Sequence, residues 1–161
     1  MMIRSATFSR CGQYRYSLKR IWFPDQKPVM FIGLNPSTAD AEMDDPTIRR
    51  CMRFAQDWGF GGLVMTNLFA YRSTDPRNLS LAEDPIGPDN NQWIETMARS
   101  CDLVVAAWGN HGSYLNRSSA MRSLFPDLHC IQLNRSGEPA HPLYLKGTLR
   151  PKRWAHCQDS G

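Results

Sequence analysis

Nothing in this sequence is spaced to hold a metal. Its five cysteines stand at positions 11, 51, 101, 130 and 157, an odd number set far apart with no close C-x-x-C pair. Zinc-site and iron–sulfur spacings are therefore missing. The four histidines, His111, His129, His141 and His156, are equally scattered, with no H-x-x-x-H pair. No metal and no other cofactor is expected, and the thiols are read as reduced and mostly buried. Long apolar runs are also lacking, so nothing approaches a membrane span. The opening MMIRSATFSRCGQYRYSLKR has no apolar core of the kind a secretory signal needs. A cytoplasmic protein without a membrane partner is the expectation. Internal repeats and low-complexity segments are missing too.

The chain of 161 residues has room for one core and not for two of ordinary size. It is read as a single domain over 1–161, with a core over about 14–150 and a basic C-terminal tail over 151–161. Hydrophobic residues at 42% and charged residues at 21% exclude a disordered chain. The net charge of +4 gathers largely at the two ends, in YRYSLKR and LKGTLRPKRW. A polyanionic partner and a plain solvated surface account for that excess equally well.

QYRYSLKRIWF alternates like a half-buried strand, and PDQKP breaks it. Four short apolar runs follow, PVMFIG (28–33), GLVMTNL (62–68), DLVVAAWG (102–109) and LHCIQLN (128–134), each suited to a buried strand. Between them DDPTIRRCMRFAQDWG predicts a helix with Asp45 as N-cap, Pro46 first, Ile48, Cys51, Met52 and Ala55 on one face, and Gly59 past its end. GPDNNQWIETMARSC predicts a second helix and SSAMRSLFP a short third. Strand and helix alternate, which predicts an α/β fold with a central, mainly four-stranded parallel sheet, helices on its faces and an N-terminal edge strand.

Ligands of parallel α/β sheets bind outside the carboxyl ends of the strands. That rule selects GLNPSTAD, NLFAYRSTDP, WGNHGS and NRSGEPAHPLYL. Each combines uncharged hydrogen-bonding side chains with glycine or proline and an aromatic residue or histidine, the make-up of a pocket for a flat, polar, uncharged ligand such as a nucleobase. Gly33 lets backbone approach a ligand, and Pro36 stiffens the turn that presents Asn35, flanked by Leu34 and Ser37. An asparagine amide can hold and orient an attacking water, although a turn alone also accounts for Asn35-Pro36. Asn67 is placed to read an amide-like base edge, with Phe69 and Tyr71 to stack on the ring or to fill the core. Trp108, Asn110 and His111 belong to the third loop. His141 is placed to donate to an oxygen that gains negative charge, or is an ordinary loop residue.

The order of GLNP (33–36), MTNLF (65–69), VVAAWGNHG (104–112) and PAHPLYL (139–145) resembles the uracil-DNA glycosylase superfamily. LNPSTADAEMDDPTIRRC, NLFAYRSTDP, AAWGNHG and HPLYL resemble more closely a bacterial family of unknown function, number 1643. The glycosylase resemblance implies a uracil-DNA glycosylase-like three-layer α/β/α fold and metal-free hydrolysis of an N-glycosidic bond. It implies that Asn35 positions water, Asn67 reads the base and His141 stabilises the leaving base. A base in DNA would first be flipped out. Ser37 stands where the mismatch-specific branch has glycine, HPLYL lacks the serine and proline of the uracil enzymes, and DAEMDDPTIRR has no counterpart in those motifs.

That acidic run admits two readings. Asp45 caps a helix while its neighbours are solvated, or Asp40 or Asp44 serves as the general base that Asn35 cannot be. Arg49 and Arg50, near the helix start, either bind phosphate or pair with those acids. The expected partner is a nucleobase-containing small molecule or nucleic acid. Two rival readings are a binding module that keeps the pocket without catalysis, and a DNA-binding protein without base chemistry. The sequence leaves the oligomeric state open.

Overall fold

The computed structural model describes residues 2–156. Its strands are β1 (Ile3–Phe8), β2 (Arg15–Ile21), β3 (Val29–Gly33), β4 (Gly62–Asn67), β5 (Leu103–Ala106), β6 (His129–Cys130) and β7 (Lys152–Arg153). The helices are α1 (Pro46–Asp57), α2 (Asn90–Arg99) and α3 (Arg117–Leu124). The strands form one mixed sheet in the order β1-β2-β4-β3-β5-β6-β7. β3 pairs in parallel with both β4 and β5, and β5 with β6. β2 runs antiparallel to β4, β1 to β2, and β7 to β6. The fold is α/β, and no helix among the described residues is long and apolar enough to cross a membrane.

Alternation along β3 explains the two cores. Val29 and Phe31 point to one face of the sheet, and Met30 and Ile32 to the other. α1 covers the first face with Ile48, Cys51, Phe54 and Ala55. α2 and α3 cover the second with Ile94, Met97 and Met121. The cap expected for α1 is present: Asp45 Oδ1 accepts from the Ile48 amide at 2.9 Å, Pro46 opens the helix, and Gly59 follows it at φ +86°. Phe54, rather than Met52, is a fully buried member of its apolar face.

Three findings depart from the sequence reading. The expected N-terminal edge strand is a hairpin: β1 forms the edge, and β2 is an inner strand because β4 takes its other side. The sheet gains β7 from the basic C-terminal stretch, where Trp154 packs on Trp108 at 5.7 Å between ring centres. Cys130 is disulfide-bonded, a pairing that spacing does not reveal, whereas Cys11, Cys51 and Cys101 are free thiols. Cys157 lies outside the described residues. Burial raises the Cys51 thiol and pushes Cys101 up to about 11, while Cys11 is exposed and lowered by its bond with Ser9.

Candidate functional site

Register brings the first two loops together. Gly33 and Asn67 are partners across β3 and β4, and beyond them the amides of Leu68 and Phe69 donate to the carbonyls of Gly33 and Leu34 at 2.9 and 3.0 Å. The Ser73 amide then reaches the Pro36 carbonyl at 2.9 Å, which folds the long second loop against GLNPS. On the other side Gly109 N donates to Pro139 O at 2.9 Å, joining the third loop to the one that carries His141. Between these loops opens a cleft of about 700 Å³, walled by Leu34, Asn35, Ser37, Trp108, Asn110, His111, Asn134 and His141 among others. A recess of about 110 Å³ adjoins it, lined in part by Arg15, Gly33, Asn35, Asp45, Asn67 and His141.

The polarity that Asn35, Asn67 and His141 turn to this space follows from their partners. Asn35 faces the carbonyls of Pro36 (3.1 Å) and Ser73 (2.9 Å). Carbonyls only accept, so the atom facing them is Nδ2, and Oδ1 remains as an acceptor. Asn67, 2% exposed, faces Nη2 of Arg15 at 3.2 Å. A guanidinium only donates, so that atom is Oδ1, and Nδ2 lies over Gly33, where an added Cβ would come within 2.9 Å of it. The Leu143 amide donates to Nδ1 of His141 at 3.2 Å, which places the proton of a neutral imidazole on Nε2. Burial holds this imidazole below its ordinary pKa, opposed in part by Asp45. These three side chains thus bring one acceptor and two donors, none carrying a net charge, to a recess that Arg15 and Asp45 also line.

The charged residues divide differently. Asp45, 8% exposed, lines the recess while its two oxygens accept from the amides of Ile48 and Ala39. Asp40 and Asp44 do not line either space. Asp40 Oδ1 accepts from the amides of Glu42 and Met43, closing a turn that lowers its pKa. Asp44 pairs with Arg20 at 2.8 Å and Arg4 at 3.4 Å. The expected general base therefore sits in neither of them. Arg50 donates to the carbonyls of Pro142 and Leu145 and lies over Phe54, and Arg49 donates to the Asp44 carbonyl at 3.3 Å. Their expected phosphate role yields to tying loops to α1.

Phe69 and Tyr71 are also absent from the lining: Phe69 is fully buried in the α2–α3 core, and Tyr71 packs against Tyr14. Trp108 does line the cleft, held by its Nε1 bond to Glu138 at 2.8 Å. Asn110 Oδ1 accepts from Asn134 and Ser136 at 2.8 and 2.7 Å. Arg15, Thr47, Ser73 and Asn134 line the site without having been singled out. The second selected segment contains Ser73 and the fourth contains Asn134. Nothing in YRYSLKR marks Arg15 as an inward residue.

Fold and site define an α/β protein with a chamber, the cleft and its adjoining recess, at the carboxyl ends of parallel strands. The chain belongs to the family described as protein of unknown function (DUF1643), whose model matches residues 15–143. No curated protein and no solved structure matches it.

Proposed function

We propose that the chamber takes a nucleobase and that the protein hydrolyses the bond joining that base to a sugar, on a fold related to the uracil-DNA glycosylases. The observation carrying this reading is the fixed polarity of Asn35, Asn67 and His141 around one recess. Oδ1 of Asn35 accepts a hydrogen bond from a water and turns the oxygen lone pair toward the anomeric carbon. The C–N bond breaks with its electron pair leaving on the base, the sugar passes through oxocarbenium character, and the water oxygen forms the new C–O bond. Asn67 Nδ2–H and His141 Nε2–H donate to oxygens of the base as negative charge develops there. The proton released by the water finally neutralises the departed base.

Asn35→Ala tests the enzyme. Turnover of nucleosides or base-containing oligonucleotides is expected to fall by about a hundredfold or more, with binding of the free base retained. One feature favours the rival binding module: among the described residues Asp45 is the sole carboxylate of the recess, and each of its oxygens already serves a backbone amide. Wild-type protein that binds bases but turns over none of them supports the module.

A further inference from the structure

Arg15 is 2% exposed and lines the recess, yet among the described residues no carboxylate lies within ion-pair distance of it. Its Nη1 donates to the Ala39 carbonyl at 3.1 Å, its Nη2 donates to Asn67 Oδ1 at 3.2 Å, and its Nε is buried without a partner. Burying a guanidinium with so little compensation costs folding free energy. Its charge persists at neutral pH even though burial draws its pKa down to about 10, with Asp45 opposing that fall and Arg72 and Arg20 adding to it. An uncharged donor would serve the Ala39 carbonyl with less desolvation. What the guanidinium adds is one-sidedness, because unlike an amide or hydroxyl it never accepts.

We propose that Arg15 is a positioning residue for Asn67 and thereby sets the ligand class: a ring edge bearing oxo groups, refused where the oxo group is replaced by amino. The inference rests on the nucleobase reading above. Without Arg15 the Asn67 amide can turn over and offer either end to the recess. With it, Oδ1 is held to the guanidinium and Nδ2 meets the ligand. An amino group at that point sets donor against donor and leaves both buried and unsatisfied.

Calorimetric titration with two pairs of free bases, hypoxanthine against adenine and uracil against cytosine, tests the lock. Wild-type protein is expected to bind the oxo member of each pair about tenfold more tightly, or better. In Arg15→Met the preference shrinks to about twofold or less because the amino member binds more tightly than before; a variant that had merely lost structure would weaken both members alike. Arg15→Lys, whose ammonium still donates to Oδ1, keeps the preference. Near-equal affinities in the wild type, or a preference that survives in Arg15→Met, overturn the lock and leave the nucleobase reading standing. Binding of none of the four bases overturns that reading and the ligand class with it. Should Arg15→Met fail to fold, a wild-type ratio near one still overturns the lock, and a high ratio kept by Arg15→Lys supports it.

Discussion

His141 joins stability to pH through a single ring. Its folded-state pKa lies below the ordinary 6.5 because burial disfavours the imidazolium. As pH falls past 6.5 the unfolded chain takes up a proton that the folded one resists, so stability is full above that value and declines below it until the folded pKa is reached. His141→Gln removes that contribution. Urea unfolding at about pH 7.5 and 5.5 is expected to show a smaller loss on acidification in the variant than in the wild type. Equal losses would sink the assignment. Position made this residue visible in the sequence, as it did Asn35 and Asn67, because each lies in a segment at the carboxyl end of an apolar run. Arg15 was hidden because a basic residue in an alternating strand reads as solvent-facing, and only the arrival of Asn67, 52 positions later, gives it a buried partner. Phe69 and Tyr71 misled for a related reason, since an aromatic after a strand suits a pocket wall and a core equally.

Among the elements, the acidic run from Asp40 to Asp45 separates into distinct tasks. Asp45 serves two backbone amides from a buried position, so Asp45→Ala is expected to cost about 1–2 kcal/mol, or about 2–8 °C in the melting midpoint. Asp40→Ala, at an exposed turn, is expected to leave the melting midpoint close to that of the wild type. Thermal melts of the two variants side by side check this, and equal effects would contradict it. Helix α1 was legible to within its apolar face because Asp45, Pro46 and Gly59 punctuate it locally. β2 was legible as a strand, but β1, the inner place of β2 and β7 were not: they rest on antiparallel pairing of β1 with β2, β2 with β4 and β7 with β6. Local alternation can suggest such a strand but cannot say which neighbour it finds.

Across the molecule, the acidic run that looks segregated in the sequence is partly neutralised in space. Asp44 is joined to Arg20 and Arg4, and Asp40 is engaged by amides, so the run does not stand over the chamber as an open anionic patch. A free base carries no net charge. Its dissociation constant is therefore expected to hold constant between about 50 and 500 mM salt, whereas a duplex bound through its backbone would show log–log slopes near −0.9 per phosphate contacted. Titrations over a salt series decide between them. A steep slope that Asn67→Ala leaves untouched would favour the DNA-binding protein without base chemistry.

The chamber also has a birth order. Its walls come from Arg15, residues 33–37, Asn67, the loop after β5 and His141, and Arg50 ties itself to the carbonyl of Leu145, 95 residues further on. Each wall closes over a longer stretch of chain than the one before it. A nascent polypeptide thus presents Arg15, Asn35 and Asn67 well before His141, and Leu145, β7 and Trp154, which finish the two hydrophobic layers and the sheet, follow His141 in turn. In this protein the recess and the layers that support it are therefore completed over the same stretch, 141–154.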